Sequence, residues 1–301
     1  MGGSTVSVRR FEEHRPRLRA VAYRLLGSLG EADDAVREAW LRLDRAGEGD
    51  AGGDVRDPGG RFTAVVARVC LDRLRARAAR REEPLLREDG RVRLPDPVVS
   101  RASGPAPEQA ALVADEVGFA LMIVLDTLAP AERLAFVLHD LFAVPPEDVA
   151  EALGCTAASA RRLADRARHR VRTAAPPPDG DAARRREVVE AFLAAARGGD
   201  LDALLAVLDP DVVARSDGGT LRPSVLRRGA ATVASQAVVF ARLAEAAHPV
   251  LVNGAPGVLA VSEGRVVSVM SFTIHGSRVT CLDLLTDPGR LGHLDVDALV
   301  G

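Results

Sequence analysis

A chain of 301 residues with 47% hydrophobic and only 3% aromatic residues is long enough for two or three domains, whose cores must consist mainly of leucine, valine and alanine. The net charge of −2 excludes neither acidic nor basic partners, but arginine is concentrated in residues 61–82 and 157–172, which favours two separate contacts with nucleic acid. The sequence starts without the apolar run of a secretory signal, and no segment approaches the roughly 18 apolar residues of a membrane span, so we expect a cytoplasmic protein.

The N-terminal part of the chain is predicted to be helical. Apolar residues recur at helical spacing over residues 18–26, the pattern breaks at residues 27–30, and it resumes over Glu31–Arg45. A loop rich in glycine and aspartate, Gly47–Gly60, precedes a third predicted helix, Arg61–Arg81, in which valines and leucines lie among arginines. We therefore predict three helices before the first linker.

The next stretch predicts a linker and further helices. Glu82–Ala106 is rich in proline, glycine and charge and has little periodicity, which is typical of a linker. Helical spacing returns from Pro107 to Leu128, and Pro130 is suited to start another helix. The apolar residues after Pro130 follow the spacing of one buried stripe: Leu134, Val137, Leu138, Leu141 and Phe142.

Residues 146–172 predict a helix-turn-helix. A short helix, Pro146–Leu153, stops at Gly154, which suits the left-handed position after a helix, and Thr156 is a predicted N-cap of the next helix. That second helix has a narrow apolar arc and an arginine face: Arg161, Arg162, Arg166, Arg168, Arg170 and Arg172. Such a face meets the DNA in a helix-turn-helix, although a solvated face on an ordinary bundle helix has the same pattern.

The C-terminal part predicts an α+β domain. Three prolines at residues 176–178 end the arginine helix. Two helices, Arg184–Arg197 and Leu201–Leu208, precede a series of short β-rich runs. These runs are Val212–Ser216, Pro249–Asn253, Gly257–Ser262, Arg265–His275 and Arg278–Leu285. Helices followed by an antiparallel meander indicate a compact domain whose curved sheet wraps a pocket.

Several stretches together resemble the extracytoplasmic-function (ECF) sigma factors, the small promoter-recognition subunits of bacterial RNA polymerase. Their polymerase-binding helix is similar to residues 31–43 of this chain, EADDAVREAWLRL. Their helix that reads and melts the minus-ten element is similar to residues 62–82, FTAVVARVCLDRLRARAARRE. Thr156–Arg172 looks like the helix that reads the minus-thirty-five element. VARVCLDRLR resembles one subgroup in particular, which carries a C-terminal SnoaL-like domain related to ketosteroid isomerase.

The rest of the chain resembles the same subgroup. RLPDP at residues 93–97 is similar to its linker signature, and SDGG at residues 216–219 and TDPGRLGHL at residues 286–294 to elements of its C-terminal domain. The subgroup favours lysine where this chain has Arg290. The resemblance implies a multidomain protein, with two all-α sigma domains, the second a helix-turn-helix, and a C-terminal α+β SnoaL-like cone.

The implied division of the chain has five parts. These are residues 8–83 (sigma region 2), 84–106 (linker), 107–175 (sigma region 4), 176–182 (proline-rich linker) and 183–301 (SnoaL-like regulatory domain). The implied partners are core RNA polymerase and promoter DNA, with no membrane and no separate anti-sigma factor.

The resemblance also implies functional residues. The minus-thirty-five element is assigned to Ser159, Arg161, Arg162, Arg166 and Arg168. The minus-ten element is assigned to Arg68, Asp72, Arg73, Arg75 and Arg77. The polymerase is assigned to Asp33, Asp34, Glu38, Trp40 and Leu41. Regulatory contacts between the linker and the C-terminal domain are assigned to Leu94, Pro95, Asp96, Pro97, Asp217, Gly218, Gly219, Asp287, Arg290 and Leu291.

Two alternatives stay open at this point. The chain is either a sigma factor or a one-component regulator in which the C-terminal domain senses an unknown small-molecule ligand. Less favoured is a SnoaL-type isomerase or hydrolase, for which the acid–base candidates are Asp217, Asp283, His248 and His275. The three scattered cysteines fit reduced thiols, and no cysteine–histidine spacing resembles a zinc site, so we expect no metal. We also expect no cofactor and no catalytic residue, because the sequence does not place a paired acid and base in one pocket.

Overall fold

The computed structural model describes residues 3–47, 58–80, 93–113, 118–174, 181–219, 224–243 and 246–300. The chain forms two compact units, and each is made of two separate stretches of sequence. The first unit combines Met1–Glu83 with Val124–Ala175, and the second combines Pro84–Ile123 with Pro176–Gly301. The three consecutive prolines and most of the predicted loop before Arg61 lie outside the described residues.

The first unit begins with the three predicted helices: α1 (Gly3–Leu26), α2 (Leu29–Gly47) and α3 (Pro58–Ala79). The apolar stripe of α1 is fully buried against the other two helices, as its spacing predicts. Gly27 ends α1 with a φ of 72°. Helix α3 starts at Pro58 rather than Arg61, because proline lacks an N–H and fits the first turn of a helix.

The same unit contains the helix-turn-helix. Helix α6 (Pro130–Phe136) continues into a π-helical turn (Val137–Leu141), and α7 (Pro146–Leu153) and α8 (Ala157–Ala174) follow. Gly154 has a φ of 68°, and the Thr156 hydroxyl accepts a hydrogen bond from the Ser159 N–H (3.2 Å), so both predicted ends of the turn are confirmed. The buried residues of α8 are Ala160, Ala164, Ala167 and Val171.

The second unit starts with the predicted linker. The linker has more structure than its composition indicates, since residues 99–101 form a strand, β1 (Val99–Arg101). Two helices, α4 (Pro107–Val113) and α5 (Phe119–Asp126), replace the predicted continuous one. The last three residues of α5 belong to the first unit. Strand β1 forms because it pairs with residues 250–252 of the C-terminal sheet. The composition of the linker gives no information about such a distant partner.

The C-terminal part of the second unit has the predicted α+β fold. Its elements are α9 (Ala182–Gly198), α10 (Leu201–Val207), β2 (Leu208–Asp217), β3 (Val225–Arg228), α11 (Ala230–Leu243), β4 (Ala246–Val252), β5 (Ala255–Ser262), β6 (Arg265–His275), β7 (Arg278–Leu285), α12 (Pro288–Leu291) and α13 (Val296–Val300). Strand β3 and helix α11 are absent from the sequence prediction. The strand order is β1-β4-β5-β6-β7-β2-β3, and β2 pairs with β7 in parallel while the other pairs are antiparallel.

The two faces of this sheet bury different partners. One face packs on α9, α10 and α11 around residues such as Phe192, Leu204 and Phe272. The other face packs on the linker and α5, where Leu94, Val99 and Phe119 are buried with residues of β4, β5 and β6. Successive residues of a strand point to opposite faces, so each of these strands contributes to both cores.

Candidate functional site

The exposed end of α8 presents two arginines near the turn. Arg161 forms an exposed ion pair with Glu147 (2.8 Å between Nη2 and Oε1). Arg162 donates to the Ser159 hydroxyl (2.9 Å), and Ser159 in turn accepts from Thr156. These side chains project from the first turns of α8, the part of a recognition helix that reaches base edges.

The middle of α8 carries arginines that are paired with carboxylates. Arg166 and Arg170 both contact Glu132, at 2.9 Å and 3.2 Å, and Glu132 is buried while both arginines are exposed. Arg168 lies between Asp140 and Asp165 at 2.6 Å from each, and the hydrogen bond to Asp140 raises the pKa of its guanidinium. Two carboxylates pair with Arg168, so the geometry supports the predicted DNA contact less at this position than at Arg161 or Arg162.

The basic helix α3 divides into two groups of side chains. Arg68, Asp72 and Arg75 are exposed. Arg73 and Arg77 instead turn towards α2, where Arg73 donates to the Glu31 carbonyl (3.2 Å) and to the Glu38 carboxylate (2.9 Å).

Arg77 donates to the Leu26 carbonyl at the end of α1 (3.2 Å) and pairs with the Glu31 carboxylate. These contacts favour a structural role for Arg73 and Arg77, which hold α3 against the two helices that precede it. A DNA contact by these two residues stays a prediction, and the geometry supports it less than a contact by Arg68 or Arg75.

The predicted polymerase-binding residues of α2 are partly engaged within the unit. Asp33 pairs with Arg19 (2.6 Å), and Glu38 pairs with Arg42 (2.6 Å) as well as with Arg73. The Trp40 ring is half-buried against Phe11, with ring centroids 5.0 Å apart, so it belongs partly to the core.

Two residues of the predicted polymerase surface face solvent. Leu41 is 45% exposed, and Asp34 is exposed in an ion pair with Arg37 (3.2 Å). An exposed leucine next to a carboxylate provides an apolar contact and a charge for a partner.

Four residues form a polar cluster between the linker and the C-terminal sheet, which we call the linker site: Leu94 and Asp217, which are buried, and Asp96 and Arg290, which are partly exposed. The Asp217 carboxylate accepts from the Leu94 N–H (2.7 Å) and from Arg290 (2.8 Å). Arg290 also donates to the Asp96 carboxylate (2.8 Å) and to the Leu94 carbonyl (2.8 Å). The planar guanidinium thus contacts three acceptors at once, which a lysine ammonium cannot match in this geometry.

The loop around the linker site requires glycine. Gly219 has a φ of 66°, and its N–H donates to the Asp217 carboxylate (2.9 Å). A β-carbon at Gly219 would collide with the Asp287 carboxylate, which caps α12 by accepting from the Gly289 N–H (2.9 Å). The structure therefore brings Asp217, Gly219 and Asp287 together, as the sequence predicts. Their neighbours Pro95, Pro97, Gly218 and Leu291 are also buried.

The linker is also joined to the sheet by backbone pairing. Val99 pairs with Val252 and Arg101 with Val250, which makes β1 an edge strand of the C-terminal sheet. The Asn253 side chain accepts from the Val98 N–H (3.0 Å), and the Asn253 N–H donates to the Val98 carbonyl (2.8 Å). Sequence reasoning missed Asn253, although Asn-Gly at residues 253–254 is a strong hairpin-turn signal.

A cavity of about 330 Å³ lies on the opposite face of the sheet. Described residues lining it are Phe192, Leu193, Ala196, Arg197, Ala237, Phe240, Ala241, Ala246, Ala247, Val258, Ala260, Ser268 and Met270. This set contains neither a carboxylate nor an imidazole. The four acid–base candidates of the sequence are therefore not among the described residues that line the cavity.

Two of those candidates lie on the linker face of the sheet. Asp283 and Asp217 share the face of Leu285, which packs with the linker core. Asp283 is buried and pairs with Arg215 (2.6 Å), and burial raises the pKa of its carboxyl group. Its position and its arginine partner are those of a structural ion pair.

Comparison with known proteins identifies the family of the two helical regions. Residues 10–80 match the family Sigma-70 region 2, and residues 119–171 match Sigma-70, region 4. The chain is 34% identical over 290 residues to a probable ECF RNA polymerase sigma factor, SigI, of Mycobacterium tuberculosis, with 93% of each chain covered. It is 43% identical over 225 residues to the ECF RNA polymerase sigma factor SigJ of the same organism, covering 74% of this chain and 68% of SigJ.

The chain belongs to the ECF sigma factors. The crystal structure of Mycobacterium tuberculosis SigJ superposes with a TM-score of 0.74 at 34% identity and covers 95% of this chain and 98% of SigJ. The predicted fold class is thereby confirmed, and so is the role of a sigma factor, which binds core RNA polymerase and DNA in transcription initiation. In the part of this sigma factor that the structure describes, no helix is long and apolar enough to cross a membrane.

Proposed function

We propose that the C-terminal domain of this sigma factor restrains promoter recognition by binding the linker between regions 2 and 4. The linker site is the observation behind the proposal. Asp217 and Arg290 bind the backbone of Leu94, and Arg290 also binds the Asp96 side chain of the linker. The segment that joins two promoter-reading regions is thereby fixed in the sheet of a third domain.

The restraint follows from the length of the bound segment. Residues 93–101 would span roughly 30 Å if fully extended and free. In the bound form their backbone groups pair with Asp217, Asn253 and strand β4. Regions 2 and 4 must reach two separate promoter elements, so release of this segment increases the distance that they can cover.

The residue assignments of the two DNA-binding regions form the second part of the proposal. Arg161 and Arg162 contact base edges of the minus-thirty-five element, since they lie exposed in the first turns of α8. Arg68 and Arg75 contact the minus-ten region, since they remain exposed on α3. Leu41 and Asp34 contact the polymerase.

We further propose that this sigma factor has no enzymatic activity, needs no anti-sigma factor and acts in the cytoplasm. The C-terminal domain acts as a regulator and not as an enzyme, since the described cavity lining lacks a carboxylate or imidazole. No separate anti-sigma factor is needed, because the chain carries its own linker-binding domain. The protein acts in the cytoplasm, where core polymerase and promoter DNA are found.

Transcription in vitro tests the proposal. The full chain is added to core RNA polymerase and a promoter template as wild type, Asp217→Asn, Arg290→Ala and, as a control, Arg227→Ala, an exposed arginine of β3. We expect promoter-specific transcripts from all four proteins and a several-fold increase for the two linker-site variants only.

Different outcomes contradict different parts of the proposal. Unchanged or reduced transcription by both linker-site variants, with the melting transition of the first unit close to wild type, would show that linker binding does not restrain activity. A wild-type chain that starts no promoter-specific transcript, even after removal of its C-terminal domain, would contradict the assignment as a working sigma factor.

A further inference from the structure

One buried carboxylate lies under the DNA-facing helix of region 4. Glu132 is 6% exposed, and it is the third residue of α6, which begins at Pro130. Its Oε1 contacts Arg166 Nε at 2.9 Å and its Oε2 contacts Arg170 Nη1 at 3.2 Å. The two arginines are one turn apart on α8, and each side chain is 57% exposed. We call these three residues the Glu132 cluster.

The charge balance of this cluster differs from that of its neighbour. One carboxylate between two guanidinium groups leaves a net charge of one positive unit. Arg168 lies between two carboxylates, Asp140 and Asp165, which leaves a net negative unit. Phosphate groups are attracted to the first arrangement and repelled by the second.

The N–H donors of Arg166 and Arg170 also favour phosphate binding by the Glu132 cluster. A guanidinium has five N–H groups, and Arg166 uses Nε towards Glu132, so the N–H groups of its two terminal nitrogens are not used in that hydrogen bond. Arg170 approaches Glu132 through one terminal nitrogen, as an ion pair without hydrogen-bond geometry. A buried carboxylate that fixes two exposed arginines reduces the rotamer entropy that they lose when a phosphate binds.

We propose that Glu132 is a positioning residue, which orients Arg166 and Arg170 as a pair for backbone phosphates of the DNA bound by region 4. Arg168 instead connects the π-helical turn to α8. This inference rests on the proposed DNA contact of α8, and it assigns phosphate binding to Arg166 and Arg170 and not to Arg168.

The test measures promoter binding by the holoenzyme at several salt concentrations. Glu132→Gln removes the charge, and Glu132→Asp keeps the charge but shortens the side chain so that it cannot contact both arginines. We expect each to weaken promoter binding about fivefold or more, with a smaller loss for Glu147→Gln, whose ion pair with Arg161 is exposed. Arg166→Ala and Arg170→Ala should each reduce the slope of log affinity against log salt by about 0.9.

A mutant cycle separates positioning from a structural role. In the background of Arg166→Ala and Arg170→Ala together, Glu132→Gln should have no further effect on promoter binding. The same loss in that background, or wild-type binding by Glu132→Asp, would overturn the inference, since Glu132 would then act through stability or through charge alone. Failure of the wild-type holoenzyme to bind the promoter would contradict the proposed function. Because the wild type is measured first, this outcome is distinguished from a failure of the Glu132 inference.

Discussion

The arginines of this protein differ in function because their partners differ. Arg133 is buried and donates to the Asp126 carboxylate and the Arg24 carbonyl, which fixes α6 against the end of α1. Arg290 contacts three acceptors of the linker site. Arg162 donates to Ser159 and is exposed, so it has donors available for DNA. A cluster of arginines in the sequence therefore contains both structural residues and ligand-binding ones.

Glu38 gives a pH-dependent prediction at the scale of a single residue. The hydrogen bond from Arg73 is the main cause of a lowered pKa at Glu38, and Arg42 adds to it. A carboxyl whose pKa is lower in the folded state stabilises the fold above its unfolded pKa, and this contribution is lost as the pH falls through the folded pKa.

We therefore expect Glu38→Gln to lower the melting temperature at pH 7 and to differ less from wild type below about pH 4. Thermal unfolding followed by circular dichroism across this range measures the difference. Glu12→Gln, in an exposed pair with Arg15, serves as the control and should change the melting temperature little at either pH. A Glu38→Gln effect that is independent of pH would contradict the assigned pair.

At the scale of elements, the helix-turn-helix depends on a short turn, and the attachment of the linker depends on strand β1. The turn between α7 and α8 fixes the direction of the recognition helix through Gly154 and the Thr156 cap. Strand β1 attaches the linker to the C-terminal sheet through backbone hydrogen bonds, and side chains of Asp217 and Asn253 extend that attachment. Local backbone geometry therefore sets the direction of the recognition helix, whereas the attachment of the linker depends on a partner strand far away in the sequence.

The helix-turn-helix turn predicts a measurable backbone effect. Gly154 has a φ of 68° and open space around a β-carbon, so Gly154→Ala introduces conformational strain without a steric clash. We expect a loss of about 1 kcal/mol in the free energy of unfolding of the first unit, and a smaller loss for Gly154→Asn, because asparagine adopts this conformation more readily. Urea denaturation measures both, and equal stability of all three proteins would contradict the assigned strain.

At the scale of the whole molecule, the chain crosses between its two units more than once. Residues 84–123 leave the first unit, join the second, and return at Val124 to complete the first. The second unit is then completed by residues 176–301. The linker between the sigma regions is consequently part of the second unit, and its state is coupled to the stability of that unit.

Calorimetry can test this division. Each unit has its own buried core, so we expect two thermal transitions. Asp217→Asn should lower the transition of the second unit, and Leu25→Ala, at a fully buried position of α1, should destabilise the first unit by about 2–5 kcal/mol. A single transition that both variants shift equally would show that the units unfold as one.

Much of this protein was determined by local sequence. Helical periodicity defines α1, α2 and α3, and the Gly154 and Thr156 signals place the turn of the helix-turn-helix. Alternating apolar residues and turn pairs define strands β6 and β7 at their observed bounds. These features depend on neighbours in the chain, which explains why one sequence is enough to read them.

Only the tertiary structure decided which polar groups meet. Glu132 and Arg166 are far apart in sequence, as are Leu94 and Asp217, and no local pattern indicates that they form ion pairs or hydrogen bonds. The sequence likewise gives no sign that the linker contributes a strand, because an edge strand is stabilised by its partner more than by its own composition. The resemblance of local motifs therefore indicated the family, and long-range packing determined which charged residues remain exposed.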